Sequence, residues 1–577
     1  MVEELITKEE AITSYRDYLI FSAKDEDLIA AINKAVSESK DLKDKMDNVG
    51  RKNKLIWQKG TSKNMEKIHP NKAKIVSNRI FTDVETAIPI LTSEPPEPTI
   101  LGNIANAVRI NMAKGMEMAY EVKYKVQQQL QRLIRNWFLF RLGVWKYRWD
   151  ADRGFVSEVV LTKNVGIDKK ATSKENCEYI WEEIEDTVEG LLEKFPKKSK
   201  DIRNQLALDP KDKVRLKSKV KYIEFWGGNG KWVCWKLKDI ILDKKKNPNW
   251  DYEINENNLF DHPEFPYLFL NVFNIGDETG LYDETSLVEE ATPMQEGVSQ
   301  IEQQIIELNE GRKRVWVASS EAVSEQNFQE LIDETGDLGM YLDRRAPTDS
   351  VRQVQAGIPD SGFFNNLQHL LGEIDNTIGM HSTTRGERAQ QETLGGRQLL
   401  MGSDYGRLDL ITRNVEQVME EWYLAYLHML KVYSDEAEIL SNGEITVELR
   451  SEQIPPGIKI MIRKGSTLPI DKRTKMEQAI QLAQWDKIDP ATLFEELGYD
   501  NVKERVDNLY QWLAVSGKIN PAAVQGATGE AIPELQQIQQ ALQSPGFQQA
   551  PPEQQQKMVQ QARKMVDQIR KGGGQRQ

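Results

Sequence analysis

The chain has 577 residues, room for roughly four modules at about 150 residues each. It carries 39% apolar residues, so it can bury a sizeable core; its 76 Lys/Arg against 89 Asp/Glu leave a net charge of −13. That balance excludes a protein that wraps nucleic acid with its whole surface, and two cysteines, Cys177 and Cys234, exclude a disulfide framework or a CxxC zinc site. The acidic start (MVEELITKEE) is unlike a secretory leader, and no apolar run nears the roughly 18 residues of a membrane span. A soluble protein made inside the cell, with no processing signal, is expected.

The first 38 residues read as helical, with Leu28, Ile29, Ile32 and Val36 on one side. Residues 39–74 hold 11 basic and 4 acidic residues, which a solvated lysine face explains without nucleic acid. The spacing of Ile75, Ile80, Val84, Ala87 and Ile88 predicts a helix ending at Pro89, ahead of the helix-breaking SEPPEP of 93–98. Residues 106–142 read as one long helix with an aromatic end. β-Formers on either side of DADRG (150–154) predict a hairpin, and KYIEFW and KWVCWKL around GGNG (227–230) predict a second. No helix and no Lys-Ser/Thr pair follows GGNG, so it is a turn and not a phosphate loop. Residues 193–221, again with 11 basic and 4 acidic residues, read as a helix plus a charged outer loop.

The middle third says most about function. Leu287, Ala291, Met294, Val298, Ile301, Ile305 and Leu308 alternate spacings of 4 and 3, an a/d seam. Residues 277–310 contain ten Asp/Glu and no Lys or Arg. Arg312, Lys313 and Arg314 follow, where cations meet a negative helix end favourably. Residues 315–345 predict a compact strand–helix–turn–strand insert, and Phe364, Leu367, Leu371, Ile374 and Ile378 form a second seam free of Lys and Arg. Two acidic helices therefore bracket a small α/β tip. A third helix is expected over about 387–433, with a kink or an unwound stretch at Gly395, Gly396, Gly402 and Gly406, since each glycine costs about 1 kcal/mol relative to alanine. Residues 444–463 predict two strands and 471–516 two or three short helices. The last 60 residues hold 16 Gln, and the final 21 carry six basic residues and one acidic.

A catalytic constellation is missing from the pattern. The five histidines show no HxxxH, HxH or HExxH spacing; His428 and His369 read as packed core residues, and His69 and His262 sit in proline turns. No Walker loop, EF-hand loop or GxSxG elbow occurs. The pairs Asp83/Glu85 and Asp333/Glu334 are too ordinary to mark a magnesium site. No enzyme, no metal and no cofactor are expected.

The order of parts resembles the portal proteins of tailed double-stranded DNA bacteriophages. The resemblance rests on VSNRIFTDVETAIPILTSEPPEPTI (76–100), on FPYLFLNVFNIGDETGLYDETSLVEEATPMQEGVSQIEQQI (265–305) with its Pro-x-Gln step, and on TTRGERAQQETLGGRQLLMGSDYGRLDLITRNVEQVMEEWY (383–423). The turn from Gly280 to Ser286 is longer than the family's usual pattern. The resemblance spans about residues 75–515.

It implies a mainly helical α+β chain with a portal-like fold. Residues 1–270 would form a wing, 271–311 the first stem helix with its lead-in strand, 312–358 a small α/β clip and 359–382 the second stem helix. Residues 383–398 would be a tunnel loop, 399–468 a long kinked helix and wing strands, 469–517 a helical crown and 518–577 a Gln-rich tail. It further implies a virion ring, usually of twelve copies, assembled in the host cytoplasm at one capsid vertex. Implied partners are the terminase large subunit, head–tail adaptor and tail proteins, major capsid or scaffolding protein, and the duplex DNA passing through; no membrane is implied. Expected contact residues are Arg385, Arg388 and Arg397 on the DNA, though these could instead pair with Glu387 or Glu392. Arg312, Lys313, Arg314 and Trp316 would lie at the motor-docking clip. Glu289, Glu290, Glu296, Glu302 and Glu307 would line the channel, where an acidic wall repels duplex and leaves it free to slide. The competing expectation is another virion connector without a channel.

Overall fold

The structure is a computed structural model. It describes residues 15–61, 77–102, 104–207, 216–276, 280–310, 315–320, 323–335, 338–342, 352–354, 361–380, 394–434, 436–441, 446–462, 469–485, 487–497 and 502–515. The chain divides into two units, Met1–Pro469 and Ile470–Gln577, and is a mixed α+β protein.

In the first unit, α1 (Asp25–Lys59) opens with three acidic residues and closes on Gly60 at φ 64°, the left-handed stop that glycine provides. The basic stretch after residue 38 thus begins as a continuation of this helix, with Met46, Asn53 and Ile56 buried and most lysines outward. α2 (Arg79–Leu91) starts where the Asn78 side chain accepts from Phe81 N–H at 3.0 Å, and runs two residues past Pro89 rather than ending there. A proline in the last turn removes one N–H but leaves the next residues free to stay helical. β1 (Pro98–Leu101) follows.

The expected single helix over 106–142 is two. α3 (Asn106–Met118) passes into a π-helical turn, Ala119–Lys123, and α4 (Val126–Phe140) begins after Lys125 at φ 48°. Aromatic packing explains the break. Tyr120 is buried, and the Tyr124 ring lies 5.7–6.3 Å from those of Phe155, Trp422 and Tyr426, aims that a straight helix would not give both.

β2 (Gly143–Asp150) and β3 (Gly154–Val160) form the first expected hairpin. Next come β4 (Val165–Ile167), β5 (Tyr179–Thr187), α5 (Val188–Lys194), α6 (Ser199–Gln205), β6 (Lys219–Gly227), β7 (Trp232–Leu237) and β8 (Ile240–Lys246). The five strands make an antiparallel sheet in sequence order. At its centre Gly228, Asn229 and Gly230 all take positive φ, as the GGNG turn requires, and a Cβ on Gly230 would meet the Glu264 backbone at 2.5 Å. β9 (Tyr267–Leu270) adds to the free side of β2. A buried ion triad joins the two sheets: Lys146 Nζ lies 2.7 Å from both Glu182 and Glu224, and Tyr267, Trp226 and Trp235 donate to the same carboxylates.

α7 (Leu287–Glu310) and α9 (Ser361–Ile378) flank an insert of β10 (Val315–Ser319), α8 (Glu325–Thr335), β11 (Leu338–Leu342) and β12 (Arg352–Val354). β10 pairs parallel with β11 and antiparallel with β12, so the strand–helix–strand expected from sequence gains a third strand. Phe328 of α8 is buried against Tyr341. α10 (Leu394–Tyr433) is one α-helix of 40 residues that continues through all four glycines, so the stretch is not unwound. Its second half explains this, for Leu408, Ile411, Val415, Val418 and Trp422 are anchored in the largest core and tertiary burial outweighs propensity. β13 (Glu438–Ser441) pairs with β14 (Thr446–Leu449), and β15 (Lys459–Ile462) pairs with β1.

The second unit contains α11 (Pro469–Gln484), α12 (Pro490–Glu496) and α13 (Val502–Val515). Asp489 caps α12 by accepting from Ala491 and Thr492 N–H at 3.0 Å. The Gln-rich tail lies outside the described residues.

Candidate functional site: an acidic helical hairpin and its socket

α7 and α9 pack along their seams. Val288, Ala291, Val298, Ile374 and Ile378 enter the main core, and Gly297 permits close approach, since a Cβ there would stand 3.0 Å from Leu370 Cδ1. Toward the insert the pairing thins, and Phe364 is half exposed.

The root is held by polar side chains. Ser286 Oγ accepts from Glu289 N–H at 3.1 Å, a helix N-cap, and accepts from Asn53 Nδ2 of α1 at 3.2 Å. The fully buried Gln295 accepts from Arg79 N–H at 3.0 Å, satisfying the first turn of α2, and donates to Ser77 O at 2.9 Å. Ser299 Oγ donates to Gly60 O at 2.7 Å. Arg79 holds Asp375 of α9 through two bonds, 2.7 and 2.9 Å. α2 thus grips both arms of the hairpin.

Asp283 ends the loop leading into α7. It accepts from Trp137 Nε1 at 2.6 Å and from Val272 and Phe273 N–H at 2.9 and 2.8 Å, and burial lifts its carboxyl to about 6 despite these donors.

The carboxylates expected along a channel fall into two groups. Glu289 accepts from Arg141 Nε at 2.8 Å, and Glu302 accepts from Ser77 N–H at 2.8 Å and from its hydroxyl, so both have partners within the chain. Glu290 is exposed and accepts from the Thr285 hydroxyl at 2.6 Å. Glu296 is half-buried, and neither Glu290 nor Glu296 joins an ion pair among the described residues. The side chain of Glu307 lies outside the described residues, as do Arg312, Lys313, Arg314, Arg385, Arg388 and the side chain of Arg397, along with Glu387 and Glu392. Trp316 sits half-buried on β10, opposite Gln353 of β12.

Sequence spacing missed the socket itself. Gln295, Ser299, Ser77 and Asn53 are ordinary polar residues, and only the Pro293-x-Gln295 step marked the place.

Other chemistry is satisfied locally. His428 is buried, accepts at Nδ1 from Leu259 N–H and meets Asn249 O at 2.7 Å through Nε2, so Nε2 carries the proton; burial pushes its pKa down to about 4. His369, expected in the core, is instead exposed on α9, 3.9 Å from Glu373, because the seam near the insert has no third layer. Glu85 is clamped by Arg135 at 2.8 and 2.7 Å, and Asp83 is buried 3.9 Å from Arg79. A cleft of about 210 Å³ is lined by Lys174, His262, Glu264 and Glu421, with the Lys174 ammonium 3.0 Å from Glu264 and 3.4 Å from Glu421. Among the described residues, no group of three or more His, Cys, Asp or Glu is placed to hold a metal ion, and no helix is long and apolar enough to cross a membrane.

No family model and no curated protein matches the chain. Among solved structures it is similar to a chain in the neck of an empty gene transfer agent particle computed with C6 symmetry, at 10% identity and a TM-score of 0.37, over 70% of this chain and 86% of that one. It is also similar to a chain in the virion of the native gene transfer agent particle, at 10% identity and a TM-score of 0.36, over 73% and 89%. Likenesses this distant assign nothing to the present chain.

Proposed function

We infer that this chain is a portal-type subunit: copies close into a ring whose acidic hairpins line a conduit for duplex DNA. One observation carries the reading: a helix free of Lys and Arg, a small α/β insert and a second such helix fold back on each other and are fixed at the root by a buried polar socket. A wall that released counterions from phosphates would hold the duplex, whereas a carboxylate wall leaves it free to move. In this reading the protein is a conduit and not a catalyst, and is a virion component. The insert, with Trp316 and the adjacent Arg312, Lys313 and Arg314, faces the terminase large subunit during packaging and head–tail adaptors afterwards. Arg385, Arg388 and Arg397 provide the few reversible grips on DNA, and capsid or scaffolding protein surrounds the ring.

Native mass spectrometry and electron micrographs of the purified full chain test this. A closed annulus with an opening wide enough for duplex DNA is expected. A single subunit under every assembly condition refutes it, and a closed disc without an opening favours a connector that passes no DNA.

A further inference from the structure

From Val415 to Leu430, α10 is buried on every side but one. Only Gln417, Glu420, Glu421 and Leu424 keep contact with solvent there, and their spacing puts them on a single stripe of the helix.

That stripe is one wall of a cleft. The segment from Leu259 to Phe265 forms the facing wall. The cleft has two lobes, of about 210 and 400 Å³, and both are lined by Phe260, His262, Glu264, Glu421 and Leu424, so they run into each other. Lys174, Glu175 and Asn229 belong to the smaller lobe, and Glu420 with Gly457–Ile460 belongs to the larger. Clefts of this order, roughly 300–1,000 Å³, are where proteins hold small organic molecules.

The smaller lobe already holds an ammonium group. Lys174 Nζ sits 3.0 Å from Glu264 on one wall and 3.4 Å from Glu421 on the other. In the larger lobe a matching pair of carboxylates lacks its cation. Asp261 comes from the loop wall and Glu420 from the helix wall, and neither joins an ion pair among the described residues. Glu420 accepts from Ile462 N–H at 2.8 Å, which holds it in place but brings no charge. Burial raises its pKa and the neighbouring Glu421 adds to the rise, as befits a carboxylate without a counter-charge. Across both lobes Glu175, Asp261, Glu264, Glu420 and Glu421 outnumber Lys174 and Lys459. Between the carboxylates the lining is apolar, with Phe260 and Leu424 common to the two lobes.

We propose that this cleft binds an aliphatic di- or polyamine. One ammonium group is taken by Asp261 and Glu420, and the methylene stem lies along Phe260 and Leu424. A further ammonium group meets Glu264 and Glu421, two carboxylates that Lys174 alone does not neutralise. A bare divalent ion fits poorly, because no group of three described carboxylates converges there and the apolar lining offers it no oxygen. The bound amine would tie the segment ahead of β9 to α10. The proposal is independent of the ring reading.

Calorimetric titration of the nucleic-acid-free full chain with spermidine, in about 0.1 M salt, tests this. One saturable site per chain is expected, with putrescine weaker and Mg²⁺ at equal ionic strength unable to displace spermidine. D261N/E420Q should weaken binding about tenfold or more, since two charge-assisted contacts are lost. Glutamine at 420 keeps an acceptor for Ile462 N–H, and thermal unfolding checks that the variant folds. L424W narrows the cleft without changing its charge and should abolish binding. Glu193→Gln on α5, which lines neither lobe, should leave binding unchanged. Absence of a saturable site overturns the proposal, as does displacement by Mg²⁺ that follows ionic strength alone. Unchanged affinity in D261N/E420Q or in L424W overturns it too, and so does an equal loss in E193Q. Should D261N/E420Q unfold, D261N alone decides, with a loss of about threefold or more expected.

Discussion

Replacing Gln295 with leucine tests whether the hairpin is socketed as described. The side chain is fully buried, and its amide both accepts from the start of α2 and donates to the segment before it, at 3.0 and 2.9 Å. Longer contacts reach Ile80 N–H at 3.5 Å and Gly60 O at 3.4 Å. Leucine has similar volume, so packing is nearly preserved and the loss is polar. The Arg79 N–H and the Ser77 carbonyl lose this partner but keep their bond to each other at 3.1 Å, so the loss is that of the amide's own hydrogen bonds, about 0.5–1.5 kcal/mol each. Ser299 still donates to Gly60 O, so that carbonyl stays satisfied. A loss of about 1–3 kcal/mol follows, read as a lower midpoint in denaturant unfolding of the full chain, with faster amide exchange at the start of α2. Glutamate at the same position keeps the acceptor beside the helix N-terminus but faces the Ser77 carbonyl without a donor, so it should fall between wild type and leucine. An unfolding free energy for Q295L within about 0.5 kcal/mol of wild type would refute the socket.

Three further outcomes are expected. Lys146→Met leaves Glu182 and Glu224 facing each other between the two sheets, and should cost about 3–5 kcal/mol in thermal or denaturant unfolding; adding E182Q and E224Q should return much of it. Gly50→Ala puts a Cβ 1.9 Å from Phe140 Cδ1 where α1 crosses α4, and should destabilise by about 1–3 kcal/mol through overpacking, visible as a lower Tm. Asp283 has its carboxyl raised to about 6 in the folded state, against about 4 when unfolded, so folding takes up a proton between those values and wild type gains stability as pH falls from 7 toward 4. Asp283→Asn lacks that gain; the stability difference between wild type and D283N should therefore widen by about 2–3 kcal/mol over this range, and a constant difference would count against the raised pKa.

The elements with strict periodicity were legible. The two hairpins, the paired seams and the strand–helix–strand insert follow from alternation at 2 or at 3 and 4, because burial on one face leaves a regular mark. What failed did so where tertiary contacts overrule local preference. The π turn at Ala119–Lys123 serves rings contributed by residues 155, 422 and 426, far away in sequence. The glycines of α10 predicted a kink or an unwound stretch by propensity, yet the helix runs through them unbroken, stabilised by a core built mainly on its other half. His369 kept the pattern of a seam residue at a level where the hairpin has only two layers, so it is exposed. The socket was illegible for a different reason: hydrogen bonds from Gln295 and Ser299 reach over 200 residues back, and no spacing rule links them to Gly60, Ser77 or Arg79.

α7 pairs part of its acid within the chain and leaves the rest to solvent. An isolated helix with glutamates at 289, 290, 296 and 302 and no cation would gain nothing from packing its charged flank against other acids. The chain supplies partners selectively: Arg141 for Glu289 and Ser77 for Glu302, both from the N-terminal segments that build the socket. Together with the buried Gln295 and Ser299 contacts they fix the helix rotation about its axis and hold the seam toward α9. With rotation set, Glu290 and Glu296 join no ion pair among the described residues. A carboxylate left unpaired on a rigid helix costs the protomer little while water covers it, and it is felt only when a polyanion or another copy approaches. On the proposed conduit reading, these two carboxylates are the ones left to repel a passing duplex.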